Sequence, residues 1–164
     1  MNDFKYSIII PHKNTPSLLT RCVTSIPQRD DLQIVIIDDN SNPNIVDFNN
    51  FPITNNDYTI VIFDKLGGGS GRARNIGMNK ATGEKFIFAD ADDFFTYCFN
   101  EVLDEYKDDM SDIVYFNASS CDSTTYTDAP YRGQERKNLF EGYKKNQNCM
   151  NIIYAMNVVP HGVK

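Results

Sequence analysis

Asp90, Asp92 and Asp93 close the stretch Lys85-Phe86-Ile87-Phe88-Ala89-Asp90-Ala91-Asp92-Asp93, so an apolar run ends abruptly in a carboxylate cluster. Like charges at this spacing repel and raise one another's pKa unless water or a shared cation relieves them. Oxygen ligands on alternate residues suit Mg2+ or Mn2+, hard ions that keep several waters and take one or two protein carboxylates together with substrate phosphates. Asp90 and Asp92 are the metal candidates on this reading. The structural alternative is a solvated acidic turn that caps the next helix, which a bare Asp-x-Asp also matches. A second acid pair, Asp38-Asp39, follows the apolar run Ile34-Val35-Ile36-Ile37 and precedes the turn formers Asn40-Ser41-Asn42-Pro43. A third candidate is the run Leu66-Gly67-Gly68-Gly69-Ser70-Gly71, followed by the helical pattern Arg72 to Ala81 that ends at Gly83. Glycines let backbone approach a ligand closely, and a helix N-terminus offers free N–H groups to an anion, so this run is a phosphate-facing candidate. A flexible turn without a ligand has the same composition.

Such groups need a scaffold, and the first half of the chain supplies one by alternating strands with helices. That alternation predicts a mostly parallel α/β sheet with helices on both faces, and acids at the carboxyl ends of its strands lie where such sheets bind ligands. Tyr6 to Ile10 reads as a buried strand ended by Pro11. Thr15-Pro16 supplies an N-cap and a proline at the first helical position, Leu18, Leu19, Cys22, Val23 and Ile26 recur at helical spacing, and Pro27 closes the helix. Ile34 to Ile37 is a second buried strand, Asn44 to Asp57 a short helix plus loop, Tyr58 to Phe63 a third strand, and the run before Asp90 a further buried strand. Beyond the acids we expect a helix over Phe94 to Lys107, a strand over Asp112 to Asn117, a ragged edge strand or hairpin over Ser119 to Asp128, and a polar helix over Asn138 to Gln147.

Composition narrows the function classes. The 164 residues suit one domain with a substantial core. With 22 acids against 16 bases the formal net charge is -6, which disfavours wholesale binding of nucleic acid or an anionic membrane surface. Any anionic ligand must be held locally, by a metal, a glycine loop or single arginines. Cys22, Cys98, Cys121 and Cys149 are far apart, and His12 and His161 complete no zinc pattern, so reduced thiols and a cytoplasmic address are expected. His12 reads as loop packing, and Arg72 as a solvated helix residue. No apolar run reaches transmembrane length; attachment at the inner face of a membrane stays open. The Gly-x-Gly-x-x-Gly and Gly-Lys-Ser/Thr fingerprints find no register, although Asp90 falls near the distance that a dinucleotide site places its acid beyond the glycines.

Taken in order, Tyr6-Ser7-Ile8-Ile9-Ile10-Pro11 with Asn14, Ile34 to Ser41, Gly69, Ala73-Arg74-Asn75 with Gly77, Ala81-Thr82-Gly83-Glu84, and Phe86-Ile87-Phe88 with Asp90-Ala91-Asp92-Asp93 resemble family 2 glycosyltransferases of the GT-A fold. The resemblance covers about residues 5–95 and fades afterwards. It implies a GT-A, Rossmann-like sheet and a transferase that moves a sugar from a nucleoside-diphosphate donor, most often a UDP-sugar. The acceptor would be a glycan or lipid-linked group in bacterial surface-polysaccharide synthesis. It further implies one divalent cation, Mg2+ or Mn2+, and direct displacement with inversion. Residue by residue, it implies that Asp39 bonds the nucleotide base, Pro11 and its neighbours line the base pocket, and Gly69 belongs to the donor loop. Arg74 would lie near ribose or diphosphate, Asp90 would contact ribose or the metal's water shell, and Asp92 would bind the metal. Asp38 reads better as a structural acid capping the following turn.

The chain departs from the pattern at Gly67 and Gly71, where many members have Asn and Ser. An inverting transferase needs a general base, and no acid between Asp104 and Glu141 matches the family's base motif. Pro160-His161-Gly162-Val163-Lys164 resembles the segment that precedes that motif. We therefore expect residues 1–164 to form one GT-A domain truncated at its carboxyl end, with 1–95 the nucleotide-sugar-binding half and 96–164 the start of the acceptor half. The base would lie beyond the chain end, and apolar surface around Ile152, Ile153, Tyr154 and Met156 would be left open to self-association. Three alternatives compete. A receiver-type phospho-acceptor domain shares the strand and double aspartate but not the glycine loop or the element order. A haloacid-dehalogenase-type phosphatase shares Asp-x-Asp but usually has Thr or Val where this chain has Phe94. A catalytically incomplete nucleotide-sugar-binding module is the third.

Overall fold

The computed structural model describes residues 4–51, 57–62, 68–112, 114, 119–122 and 125–128. It divides into two compact units, Met1–Asp109 and Met110–Lys164. In the first unit four strands, β1 (Tyr6–His12), β2 (Leu32–Asp38), β3 (Asp57–Ile62) and β4 (Lys85–Phe88), form one parallel sheet in the order β3-β2-β1-β4. Helices α1 (Pro16–Thr24), α2 (Gly69–Lys80) and α3 (Phe99–Glu105) connect or follow them, with a 3-10 turn at Phe48–Asn50. The described part of the second unit is an antiparallel hairpin of β5 (Ser119–Asp122) and β6 (Thr125–Asp128), in line with the hairpin expected there. The expected strand over Asp112 to Asn117 lies outside the described residues except for Asp112 and Val114, and the helix over Asn138 to Gln147 lies wholly outside them.

Alternation along the strands creates two cores. Ile8, Ile10, Ile34 and Ile36 face α1 and α3 and pack with Leu19, Cys22, Val23, Phe99 and Leu103. Ile9, Val35 and Ile37 point the other way, toward Ala73 and Ile76 of α2. β1 and β2 are thus covered on both faces, which explains their unbroken Ile/Val runs. Gly77 makes the second layer possible, since a Cβ there would collide with the Ile9 side chain. α2 can lie this close to β1 only without a side chain at that point.

Several boundaries differ from expectation for identifiable reasons. β1 does not stop at Pro11 but runs through His12, because Pro11 pairs with Ile37 and the His12 carbonyl accepts from the Asp39 N–H at 2.8 Å. A parallel ladder tolerates the missing proline N–H at its end. α2 starts at Gly69, inside the glycine run, and ends at Lys80, short of Gly83. α3 starts at Phe99 rather than Phe94, since the Phe95 N–H is taken by Ser25 Oγ at 2.8 Å and leaves the helical path. β4 is not a buried strand: Ile87 packs inward, but Phe86 and Phe88 are 44% and 50% exposed. α2 packs on β1 and β2 and leaves that face of β4 uncovered.

Candidate functional site

β2 and β4 flank β1, and each ends in acids at the same edge of the sheet. With parallel strands about 4.8 Å apart, the Asp38-Asp39 and Asp90 to Asp93 segments leave the sheet from strands about 10 Å apart. One helix connects them. The Gly69 N–H, at the start of α2, donates to Asp39 Oδ2 at 3.2 Å, and Arg74 Nη2 on the same helix donates to Asp90 Oδ1 as an ion pair. The helix runs antiparallel to the strands, since Gly69 meets Asp39 at the carboxyl end of β2 while Thr82 and Gly83, just past the end of α2, meet Gln33 and Ser7 at the amino ends of β2 and β1.

The glycine at that junction is not incidental. Gly69 has φ 70°, a left-handed conformation that L side chains rarely adopt, and it lets α2 begin with its amide aimed at Asp39. Among the described residues no side chain caps this helix start, and the first-turn amides of a helix are groups that an anion can engage.

Asp39 is buried, with a side chain 10% exposed, and its two oxygens differ. Oδ2 meets the Gly69 N–H and, at 3.6 Å, Lys13 Nζ, whereas Oδ1 has no hydrogen-bond partner among the described residues. A buried carboxylate oxygen without a donor has lost its hydration and gained nothing in return. It is poised to accept a hydrogen bond from a ligand. Asp38 has the opposite character. Burial alone would push its carboxyl up, but bonds from His12 and from the Ser41 hydroxyl and amide outweigh burial and hold it below the usual carboxylate range. Its reading as a cap on the following turn is supported, with the addition of His12.

His12 corrects the sequence reading. It is a buried residue of β1, not loop packing, and its Nδ1 lies 2.7 Å from Asp38 Oδ1 while the Thr15 N–H points at Nε2 from 3.2 Å. Composition gave no hint of this, because the contact depends on the parallel register that sets His12 beside Asp38. Lys13 also escaped notice, for the same reason. Pro11 sits inside β1 beside Ile37.

On the β4 side, Asp92 is exposed, and its backbone carbonyl accepts from Arg21 Nη2 of α1. The same guanidinium lies over Phe94 with its carbon 5.2 Å from the ring centroid. α1 thus clasps the acidic loop at two successive points, Arg21 on Asp92 and Ser25 on Phe95, while α2 holds Asp90 from the other layer. Among the described residues no three His, Cys, Asp or Glu side chains converge as a ready cage. Two carboxylates two residues apart fit a hard cation that completes its shell with water and ligand phosphate.

Comparisons with known proteins agree with this architecture. The family model described as Glycosyl transferase family 2 matches residues 7–160. An uncharacterized glycosyltransferase of Rickettsia conorii is 35% identical over 97 residues, covering 58% of this chain and 16% of that protein. Glycosyltransferase GlyG of Streptococcus pneumoniae is 26% identical over 126 residues, 73% of this chain and 42% of that protein. The matched region therefore spans less than half the length of these relatives. Among solved structures, S. aureus TarS 1-349 in complex with UDP-GlcNAc superposes with a TM-score of 0.51 at 23% identity, over 63% of this chain and 32% of that one, a likeness of fold.

Proposed function

Because the chain belongs to glycosyl transferase family 2, we propose that it forms the donor-binding part of a transferase that moves a sugar from a uridine diphosphate carrier to a glycan or lipid-linked acceptor. The observation that carries this reading is Asp39 Oδ1, a buried acceptor without a partner among the described residues, set beside the open N-terminus of α2. In this assignment the base bonds to Asp39 with Pro11 and its neighbours as the pocket wall, and the diphosphate lies along the first turn of α2 between Gly69 and Arg74. Gly69 and Arg74 reach Asp39 and Asp90 on either side of β1, which suits a nucleotide laid across that strand. Solved TarS complexes with UDP and UDP-GlcNAc, on a related fold, favour a uridine nucleotide. The relatives that act on poly(ribitol-phosphate) favour a surface polysaccharide as the acceptor class.

A divalent cation, Mg2+ or Mn2+, fits Asp92, with Asp90 in its outer shell while paired to Arg74. When bound it would neutralise charge that develops on the departing diphosphate. Arg74 serves the same end from α2, and Asp90 keeps its guanidinium aimed at the loop. Inversion by direct displacement requires a base, and none of the acids described at this sheet edge is assigned that role.

Titration calorimetry with UDP in the presence and absence of Mn2+ tests the assignment. Asp92→Ala should abolish the metal-dependent part of binding, and Asp39→Ala should weaken binding about tenfold with or without metal, the loss of one charge-assisted hydrogen bond. Equal, metal-independent losses from both substitutions would contradict these roles.

A further inference from the structure

We propose that His12 is a positioning residue for the base-binding end of the site. With Asp38, Ser41 and the Asn14-Thr15 backbone it closes a ring of hydrogen bonds that fixes Lys13 and Asp39 as a paired donor and acceptor. That pair reads a nucleobase edge on which an N–H adjoins a C=O. This inference rests on the donor-site reading above.

The ring can be followed atom by atom. The Thr15 N–H requires an acceptor at His12 Nε2, which leaves the ring proton on Nδ1, facing Asp38 Oδ1 at 2.7 Å. The Ser41 hydroxyl donates to the same oxygen at 2.6 Å and accepts from the Asn14 N–H at 2.8 Å, and Asn14 leads back into Thr15. A side branch reinforces it, with Asn14 Oδ1 accepting from the Asn42 N–H at 2.7 Å. Phe48 seals the imidazole edge-on, with ring centroids 5.9 Å apart.

Stability alone does not account for such a ring. A buried carboxylate and its hydrogen-bonded imidazole contribute little beyond what apolar residues of the same volume would supply, so their presence points to control of conformation. The conformation controlled is unusual. Asn14 and Asn40 have φ 56° and 54°, and they directly follow Lys13 and Asp39. Backbone in this region persists where its surroundings over-determine it, typically where a ligand is met. The two strained residues therefore aim the two charged side chains, and the ring holds both turns. Lys13 Nζ lies 3.6 Å from Asp39 Oδ2, which leaves Oδ1 without a partner among the described residues. A carboxylate beside an ammonium matches uracil, whose ring N–H would meet Oδ1 and whose neighbouring carbonyl would meet the lysine. Cytosine presents a bare nitrogen and an amino group at those positions, so both contacts would fail. Selectivity of this kind is large because mismatched polar groups are left unpaired.

The test is calorimetric titration of UDP and CDP, each with Mn2+, into the full chain and into His12→Asn, His12→Gln and Ser41→Ala, with thermal unfolding recorded for each. Asn can place a donor where Nδ1 stands, whereas Gln reaches only the Nε2 position. The unmodified chain should bind UDP at least tenfold more tightly than CDP. H12N should keep UDP affinity within about threefold. H12Q should lose about tenfold for UDP and little for CDP, so that discrimination collapses. S41A opens the ring at a half-buried position and should move the ratio the same way by about threefold, and it decides the matter should H12Q fail to fold. UDP and CDP bound equally by the unmodified chain, or an H12Q chain that melts lower yet keeps the UDP affinity and ratio, would overturn the proposal. No UDP binding by the unmodified chain would instead remove the donor-site reading and this inference with it.

Discussion

Cys22 and Cys98 show how far two thiols of one chain diverge once burial is settled. Cys22 is fully buried under the acidic loop, and burial, helped by the negative charges of Asp93, Asp90 and Asp92, pushes its thiol up to about 12. Cys98 is exposed at the start of α3. The thiolate is the reactive form, so maleimide should label Cys98 in the folded chain, whereas Cys22 should react only in denaturant. Mass mapping of the modified peptides checks this, and labelling of Cys22 without denaturant would show that α1 lifts off the sheet. The residue scale was also where sequence reading fell short. Asp39, Gly69, Arg74, Asp90 and Asp92 could be singled out because they lie in motifs with recognisable spacing. His12, Lys13, Arg21 and Ser25 could not, because each takes its meaning from a partner at least 26 positions away along the chain.

Two glycines of α2 make opposite predictions, and the helix explains why. Gly77 faces β1, where even a Cβ meets Ile9, so Gly77→Val should cost about 2–3 kcal/mol through overpacking. Gly71 is exposed in the same helix with nothing within 4 Å of a Cβ, so Gly71→Ala should add about 0.5 kcal/mol from helix propensity. Urea unfolding of both variants reads the two signs; stabilisation by Val at position 77 would mean that α2 does not pack as described. Elements themselves were readable wherever periodicity was strong. The Ile/Val runs of β1 and β2 and the Pro16 start of α1 appeared where expected. Ends were less readable, since the start of α2 depends on a positive φ at Gly69 and that of α3 on a hydrogen bond from Phe95 to α1.

At the scale of the whole molecule, carboxyls held below their usual range couple stability to pH, and among the described residues Asp31 and Asp38 are the two of them that are not exposed. The Arg29 guanidinium beside Asp31 and the His12 and Ser41 bonds to Asp38 hold both carboxyls below their ordinary value of 3.8, in Asp38 against the opposing pull of burial. A depressed carboxyl contributes stability that is complete above the unfolded value and is lost as pH falls through the folded one. The melting temperature should therefore be level above about pH 5 and fall below about pH 4, and Asp38→Asn should flatten part of that fall. A native-like slope in the variant would assign the acid sensitivity to other carboxylates. Sheet order was the part of the global fold that strand patterns leave open. Alternating strands and helices announce a parallel α/β sheet, but the placement of β1 between β2 and β4 emerges only from long-range pairing.

That placement has a consequence for how the protein is made. β1 leaves the ribosome before the other strands of its sheet, yet one of its two neighbours is β4, which ends at Phe88. Translation proceeds at about 5–20 residues per second, so one edge of the isoleucine-rich strand waits several seconds for its partner. During that interval Ile8, Ile9 and Ile10 are the stretch a holding chaperone would find, and any slowing of synthesis between His12 and Lys85 lengthens the exposure.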